Sequence, residues 1–454
     1  MPRLFGTDGV RGVANKELLP ELAFKLGRAV GFLAVEEGKG KVLVGRDPRI
    51  SGEMLSAALT AGLTSAGADC LDLGIIPTPA VALICRQMEA DFGAVISASH
   101  NLYDDNGIKF FDKNGMKLSE EDEERIAAYV VDDSGQFVAD ELPRPVGDKV
   151  GRVYLVSDAK DRYADFLLST ADFSLDGYKI VVDCANGATS EVAPKVYESL
   201  GAKVILINAD PDGVNINRSC GSTHPEQLQE AVVRSGAHAG IAHDGDGDRV
   251  IFVDEQGAIV DGDKQLAITA IDLLKNNMLP NNAIAATVYS NLGLKDCLSS
   301  FGGTVYFTEN GDRNVLREMI DRGLILGGEQ SGHIIHANYN LTGDGILSAI
   351  RLLEIMVRSK APLSELAAQM TPFPQLLVSV KVKDKKKIMT SEFVLEAIRK
   401  GQEEMGREGR LFVRPSGTEP VVRIMGEAKD ITVVRRIVNE VAAAVASADK
   451  AEDE

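Results

Sequence analysis

The sequence feature that most constrains the fold is a recurring unit in which a helical pattern ends at a glycine and leads into a short strand. It occurs at Gly67, Gly201 and Gly302, each followed three residues later by a strand-like segment. Glycine is favoured there because it accepts the left-handed conformation that ends a helix. Helices that alternate with strands predict a mostly parallel sheet covered by helices. The recurrence is typical of a threefold repeat, but ordinary helix-to-strand turns would look similar.

Domain organisation follows from length and from changes of pattern. The chain has 454 residues, enough for several domains of about 100–200 residues each. Polar or proline-containing stretches suggest boundaries, and after the last one the pattern becomes that of a smaller α+β domain. We predict three related α/β domains, with mixed, mostly parallel sheets, and a C-terminal α+β domain. Their predicted bounds are 1–150, 151–254, 255–370 and 371–454.

Composition excludes several classes of protein. A net charge of −18 argues against broad nucleic-acid binding, since a basic surface is missing. The five cysteines are scattered without a C-x-x-C pair, which disfavours zinc knuckles and disulfide frameworks. We find no apolar run of membrane-spanning length and no signal-peptide core. We therefore expect a cytoplasmic protein with no membrane partner.

The densest chemical signal is a triplet of carboxylates, Asp244, Asp246 and Asp248, that alternate with glycine. Such closely spaced oxygen ligands suit Mg²⁺, and without a cation they would repel one another. A calcium EF-hand is disfavoured because Arg249 occupies the loop position that requires glycine, and because the flanks look like strands. A purely structural Asp/Gly turn remains the alternative.

A serine-containing loop, Ser97-Ala98-Ser99-His100-Asn101, follows a predicted strand at Phe92–Ile96. Ligand sites of parallel sheets lie at strand carboxyl ends, where a serine can act as nucleophile or phosphoryl carrier. A hydrolase elbow is disfavoured because no G-x-S-x-G motif is present. Lys109 lies nearby in sequence and could steer or protonate a transferring phosphoryl group. A polar turn and a solvated lysine are the alternatives.

Two further loops carry polar groups. In Gly328-Glu329-Gln330-Ser331-Gly332-His333, Glu329 and Ser331 could hold sugar hydroxyls and His333 could shuttle a proton. A glycine-rich turn with a core histidine is the alternative.

The last loop, residues 414–420, offers groups suited to phosphate. A long hairpin loop is the alternative there, and Arg11 of the first glycine-rich loop could add a cation. No Walker A or G-x-G-x-x-G motif is present, which disfavours direct nucleotide use. The candidate groups of the last domain are Arg414, Ser416, Gly417, Thr418 and Arg423.

Together and in this order, the motifs GTDGVRG, SASHN, DGDGDR, GEQSGH and RPSGTEP resemble those of the α-D-phosphohexomutase superfamily, over nearly the whole chain. The resemblance implies four domains around a central cleft, each contributing one loop. Gln330, together with the opening motif, favours the branch that acts on glucosamine phosphates. In the phosphoglucomutase/phosphomannomutase branch the third loop usually reads GEMSGH.

The resemblance also implies a role for each candidate residue. Ser99 would be a phosphoserine whose phosphate, with the three aspartates, holds one Mg²⁺. Lys109, His333 and Arg11 would assist catalysis. The remaining candidates would bind the substrate: Arg249, Glu329, Ser331, Arg414, Ser416, Gly417, Thr418 and Arg423.

The implied reaction interconverts glucosamine 6-phosphate and glucosamine 1-phosphate through a glucosamine 1,6-bisphosphate intermediate, which also serves as activator. It would feed the synthesis of UDP-N-acetylglucosamine and cell-wall precursors. The expected partners are the hexosamine phosphate and a second copy of the chain, bound through the first domain. Leu102 stands where this branch usually has proline. The change would free a backbone N–H and could loosen the serine loop, but it removes no chemical group.

Three alternatives remain open at this point. They are a phosphoglucomutase or phosphomannomutase, a magnesium-dependent sugar phosphatase, and a sugar-phosphate binding protein without activity. The sequence does not determine the selectivity among sugars, the first phosphorylation of Ser99 or the oligomeric state.

Overall fold

The computed structural model describes residues 4–6, 8–131, 138, 141–406, 409–416 and 420–450. The chain forms two compact units. One contains Met1–Tyr289 and Phe301–Gln369, and the other contains Ser290–Ser300 and Met370–Glu454. The domain bounds proposed above stay predictions.

The first α/β segment carries the serine loop. Its strands lie in the order β1-β5-β4-β2-β3-β6, with β1 and β5 antiparallel to their neighbours and the rest parallel. Its elements are β1 (Val10–Val13), α1 (Pro20–Glu37), β2 (Lys41–Arg46), α2 (Ser51–Ser65), β3 (Asp69–Ile75), α3 (Thr78–Gln87), β4 (Phe92–Ile96), β5 (Asp105–Asp112), α4 (Glu120–Val130) and β6 (Val153–Leu155).

The second segment carries the aspartate triplet. Its strand order is β11-β10-β9-β7-β8, with β7 parallel to β8 and β9. Its elements are α5 (Ala159–Ser169), β7 (Lys179–Asp183), α6 (Val192–Ser199), β8 (Lys203–Ile207), α7 (Glu226–Ser235), β9 (Ala239–His243), β10 (Val250–Asp254) and β11 (Ile259–Val260).

The third segment carries the Glu-Gln-Ser loop. Its strand order is β13-β12-β14-β15. Its elements are α8 (Gly262–Lys275), β12 (Ala283–Thr287), α9 (Leu292–Ser300), β13 (Thr304–Thr308), α10 (Asp312–Arg322), β14 (Leu326–Gly328), β15 (Ile334–His336), α11 (Gly345–Ser359) and α12 (Leu363–Ala367).

The three sheets share one topology, which confirms the threefold repeat. The corresponding strands run β5-β4-β2-β3, β10-β9-β7-β8 and β15-β14-β12-β13. The glycines that follow α2, α6 and α9 are left-handed, with φ of +96° at Gly67, +97° at Gly201 and +77° at Gly302. In each repeat the candidate loop joins two antiparallel neighbours, which are β4 and β5, β9 and β10, and β14 and β15. The three loops therefore leave equivalent ends of equivalent strands.

A continuous apolar core fixes the first two repeats and part of the third. It contains buried side chains of α3, α5, β7, β9 and α11. Each fully buried Leu, Ile or Val side chain stabilises the fold by about 1.5–3 kcal/mol relative to an exposed one. The loops that leave these elements are therefore held by a rigid support.

The second compact unit contains the predicted α+β domain together with α9. Its antiparallel strands lie in the order β16-β18-β17, and α14 and α15 pack on one face. The short helix α13 was not predicted; Asp384 caps its start by accepting hydrogen bonds from the N–H groups of Lys386 and Lys387. The elements are β16 (Gln375–Lys381), α13 (Lys385–Thr390), α14 (Glu392–Met405), β17 (Gly409–Pro415), β18 (Val421–Ala428) and α15 (Ile431–Lys450).

One local prediction was wrong. The apolar run at residues 324–326 predicts the strand before the Glu-Gln-Ser loop, with Gly327 and Gly328 in a turn. The strand instead spans Leu326–Gly328 and so includes both glycines. A Cβ on Gly328 would lie 2.6 Å from the carbonyl oxygen of His333. Glycine is present there because the two backbones approach closely, and not because the chain turns.

Candidate active site

The serine loop holds Ser99 in a conformation that only a strong set of contacts can maintain. Ser99 has φ of +51° and is 1% exposed. Its carbonyl oxygen accepts hydrogen bonds from Arg49 at 3.0 Å and from Asn217 at 2.8 Å. A non-glycine residue in this region costs of the order of 1–3 kcal/mol, and such strain is typical of functional sites.

Arg49 is the main support of this loop. Its buried guanidinium pairs with Asp47 at 2.8 Å. It also donates to the carbonyl oxygens of Asn101, Leu102 and Asp105. Leu102 is therefore tied to the loop by its carbonyl group, whatever freedom the absence of proline gives its φ angle. The effect of Leu102 on activity stays a prediction.

The three aspartates come together in the loop between β9 and β10. All are buried, and one ligand oxygen of each lies within 4.8 Å of the others. Asp246 Oδ1 and Asp248 Oδ1 have no hydrogen-bond partner among the described residues. The flanks are strands, as predicted, which excludes an EF-hand.

The electrostatics of the triplet call for a cation. Burial, and then the charges of Asp248 and Asp246, raises the pKa of Asp244 well above its usual value. Burial opposes ionisation of Asp248 as well, but Lys109 and His333 hold its pKa well below the usual range. Oxygen-only ligands and unpartnered buried oxygens fit Mg²⁺. These three residues could therefore hold the ion.

The nucleophile and the aspartate loop are in direct contact. Ser99 Oγ donates to Asp244 Oδ2 at 2.7 Å. A Cβ on Gly245 would lie 2.6 Å from the carbonyl oxygen of Ser99, so this glycine permits the approach. The fold thus joins two motifs that lie 145 residues apart in sequence.

Lys109 lies in the same cluster. Its ammonium nitrogen is 2.9 Å from Asp246 Oδ2 and 3.2 Å from Asp8 Oδ2. Although burial lowers its pKa, the charges of Asp246 and Asp8 outweigh this and raise it. Lys109 therefore stays charged, which suits charge stabilisation of a phosphoryl group better than proton donation.

A chain of ion pairs continues from Lys109 and includes residues that the sequence analysis missed. Asp8 accepts from Arg11 and lies 2.6 Å from the ammonium of Lys117, which is also 2.6 Å from Asp312. Arg11 therefore joins this chain of ion pairs through Asp8. Asp8 belongs to the GTDGVRG motif that the sequence analysis quoted. Lys117 and Asp312 are isolated charged residues in the sequence, and no motif marks them.

His333 is buried among these carboxylates. Its Nδ1 is 3.6 Å from Asp248 Oδ2, and its Nε2 accepts the backbone N–H of Gly343 at 3.1 Å. Burial lowers its pKa, but Asp248 and Asp312 together more than compensate, so that the pKa is raised overall. His333 is buried, as the core-histidine alternative predicts, but its neighbours Asp248 and Asp312 are charged side chains.

A cavity of about 380 Å³ opens beside these groups. Glu329, Ser331, Arg249 and His333 line it. Ser331 Oγ donates to Glu329 Oε2 at 3.2 Å, which makes the predicted donor and acceptor pair. Gln330 also lines the cavity, but its amide donates to Asp261, the cap of α8, at 3.2 Å.

His100 does not serve Ser99 as a base. Its Nδ1 lies 3.2 Å from the guanidinium of Arg249. Burial, and then the charges of Arg249 and Arg11, lowers its pKa to about 4. A hydrolase-type serine and histidine pair is therefore absent among the described residues.

The second compact unit carries the residues that we predict to bind a phosphate group of the substrate. Arg414 and Arg423 face each other across β17 and β18, so their side chains share one face of the sheet. Lys385 donates to the carbonyl oxygen of Ser416 at 2.6 Å. Like charges at opposed positions suit an anion site. Gly417 and Thr418 lie outside the described residues.

Four domain models of one known protein family match successive segments of the chain. Models of phosphoglucomutase/phosphomannomutase α/β/α domains I, II and III match residues 2–136, 161–257 and 261–373. The C-terminal domain model of the same family matches residues 377–444. The chain therefore belongs to the phosphoglucomutase/phosphomannomutase family, within the phosphohexomutase superfamily.

Its relatives narrow the assignment. A phosphoglucosamine mutase from Carboxydothermus hydrogenoformans is 52% identical over 98% of this chain and 99% of the relative. Another phosphoglucosamine mutase, from Desulforamulus reducens, is 50% identical over 97% of this chain and 99% of the relative. These relatives place the chain among the phosphoglucosamine mutases, which are isomerases.

Solved structures agree on the fold. A phosphoglucomutase/phosphomannomutase family protein from Burkholderia thailandensis superposes with a TM-score of 0.80 at 26% identity, covering 97% of each chain. The N-acetylphosphoglucosamine mutase of Aspergillus fumigatus, in complex with GlcNAc-6P and magnesium, superposes with a TM-score of 0.66 at 19% identity. The match covers 98% of this chain and 96% of the Aspergillus chain.

We predict that Asn217→Ala lowers phosphohexomutase turnover by about 10- to 100-fold. The variant loses the hydrogen bond to the Ser99 carbonyl oxygen, and a resulting displacement of Ser99 by about 1 Å is costly for phosphoryl transfer. Steady-state kinetics measure the effect. Asn215→Ala is the matched control: it removes an amide from the same loop whose bonds go to Asp210 and Asp212 instead. Equal turnover in both variants and wild type would contradict the role assigned to Asn217.

We also predict that Mg²⁺ stabilises the fold through the aspartate triplet. At a concentration 100 times its dissociation constant, the ion should add about 2.7 kcal/mol to the free energy of unfolding. Thermal unfolding with Mg²⁺ and with EDTA measures this. Asp248→Asn should lose most of the shift, whereas Asp161→Asn, at an exposed ion pair with Lys195, should retain it. An undiminished shift in Asp248→Asn would exclude the triplet as the site.

Proposed function

We propose that this chain interconverts glucosamine 6-phosphate and glucosamine 1-phosphate, with Ser99 as the phosphoryl carrier. The observation that carries the proposal is the 2.7 Å hydrogen bond from Ser99 Oγ to Asp244. It places a nucleophile against a buried set of carboxylates, beside a cavity whose lining includes Glu329 and Ser331, the groups proposed for sugar hydroxyls. Relatives of about 50% identity over nearly their full length bear the same activity in their names.

In the first half of the reaction, phospho-Ser99 donates its phosphoryl group to O1 of glucosamine 6-phosphate. The bond from phosphorus to Oγ breaks, the bond to O1 forms, the hydroxyl proton leaves O1, and Oγ gains a proton as Ser99 returns to its hydroxyl form. We assign Lys109 and Arg249 to the charge of the transferring group and His333 to the proton. Mg²⁺ held by the triplet would supply further charge stabilisation. The product of this half is glucosamine 1,6-bisphosphate.

In the second half, the bisphosphate turns round and Ser99 Oγ attacks the phosphorus on O6. The bond from phosphorus to O6 breaks, the bond to Oγ forms, and O6 takes up a proton as glucosamine 1-phosphate is released. The hydroxyl proton of Ser99 is directed at Asp244 Oδ2, which is therefore the placed acceptor when Oγ attacks phosphorus. Glu329 and Ser331 hold sugar hydroxyls in both orientations. The non-reacting phosphate is assigned to the groups of the last domain: Arg414, Ser416, Gly417, Thr418 and Arg423.

The remaining expectations belong to this proposal. They are a glucosamine 1,6-bisphosphate activator, a cytoplasmic location, a role in supplying UDP-N-acetylglucosamine and cell-wall precursors, and pairing of two copies through the first domain. No helix in the described ranges has the length and apolar character to span a membrane.

A coupled product assay tests the proposal. With Mg²⁺ and a trace of the sugar 1,6-bisphosphate, we expect wild type to prefer glucosamine 6-phosphate over glucose 6-phosphate and mannose 6-phosphate. Ser99→Ala should lose nearly all turnover, since no carrier remains. Ser97→Ala, which keeps the carrier but removes its neighbour's hydroxyl, is the matched control and should retain part of it.

Three outcomes would contradict the proposal. A preference for glucose or mannose phosphate would overturn the substrate. Net release of inorganic phosphate would identify a phosphatase. Full turnover in Ser99→Ala would exclude the phosphoserine carrier.

A further inference from the structure

Recognition of an amino sugar requires a group that distinguishes an ammonium from a hydroxyl. At neutral pH the C2 substituent of glucosamine is a cation with three donors and no acceptor, whereas a hydroxyl both donates and accepts. A carboxylate with an open oxygen is the natural partner of an ammonium. Four carboxylates line the cavity: Asp8, Asp248, Asp312 and Glu329.

Two of these carboxylates are already engaged. Asp8 Oδ1 lies 2.6 Å from Lys117, and its Oδ2 receives Arg11 and lies 3.2 Å from Lys109. Asp248 is only 3% exposed, and its open oxygen belongs to the aspartate triplet. Neither is available to a sugar substituent.

Glu329 is suited to hydroxyl groups. Ser331 donates to its Oε2 at 3.2 Å, so a donor and an acceptor stand side by side. A sugar hydroxyl can use both at once, which an ammonium cannot. Glucose and glucosamine phosphates share the hydroxyls at C3 and C4, so this pair does not separate the two sugars.

Asp312 has the features that the ammonium requires. Its Oδ2 is 2.6 Å from Lys117, while no residue in the described ranges donates to its Oδ1. Lys117 shares its charge between Asp312 and Asp8. His333 Nε2 lies 3.5 Å from Asp312 Oδ2, the oxygen that already faces Lys117. Both neighbouring cationic groups thus face Oδ2, and Oδ1 remains for a ligand.

We propose that Asp312 binds the C2 ammonium of glucosamine phosphate and determines selectivity for the amino sugar. The inference rests on the function proposed above and goes beyond it by naming the selectivity group. Asp312 would act in binding only. A charge-assisted hydrogen bond at a partly buried site corresponds to about a 10- to 100-fold preference.

The test uses Asp312→Asn in the full chain, a change that keeps shape and an acceptor for Lys117 but removes the charge. We compare kcat/KM for glucosamine 6-phosphate and glucose 6-phosphate in wild type and variant. If glucose 6-phosphate turns over too slowly, its inhibition constant against glucosamine 6-phosphate replaces its kcat/KM. The ratio in favour of the amino sugar should fall about 10- to 100-fold, mainly through KM for glucosamine 6-phosphate.

Glu329→Gln is the matched control, because it neutralises the other open carboxylate of the cavity. It should weaken both sugars alike and leave the ratio unchanged. An unchanged ratio in Asp312→Asn, or a ratio that falls only in Glu329→Gln, would overturn the proposal. Thermal unfolding checks that each variant is folded, and Asp312→Ser repeats the test if the asparagine variant is not. A wild type without any preference for glucosamine 6-phosphate would instead overturn the proposed function, and is recognised before any variant is made.

Discussion

The hydrogen bond between Ser99 and Asp244 is the contact on which the rest of the site depends. It joins the loops of two repeats that leave equivalent ends of equivalent strands. Arg49 and Asn217 grip the Ser99 carbonyl from the two repeats and hold the residue in a left-handed conformation. The common core beneath both sheets keeps the loops at contact distance. The chemistry therefore depends on the packing of the repeats as much as on either motif.

Charge alternation organises the groups around this contact. Carboxylates and cations follow one another from Asp246 through Lys109, Asp8 and Lys117 to Asp312. Each carboxylate in that chain has an ammonium beside it. Asp244 has none, and although Arg249 offsets part of its charge, burial beside Asp248 and Asp246 disfavours its ionised form. The ligand atoms thus converge at the end of the chain where negative charge is least compensated, and a divalent cation there would complete the balance.

Much of this could be predicted from the sequence, because the signals are local. Periodicity and helix-ending glycines predicted the repeat, and the dense motifs identified Ser99, the aspartates and Glu329. The supporting residues could not be found in that way. Arg49, Asn217, Lys117 and Asp312 are single polar residues whose roles arise from contacts between distant segments. Gly327 and Gly328 misled the strand assignment, since glycine serves close backbone approach as well as turns.

The most direct test of the central claim follows the phosphoryl group itself. Enzyme carrying a radiolabelled phosphate on Ser99 is mixed with unlabelled glucosamine 6-phosphate and quenched within a single turnover. The account predicts that label leaves Ser99, passes through the sugar bisphosphate and appears in glucosamine 1-phosphate as fast as that product forms. Product formation while the label stays on the protein would contradict it.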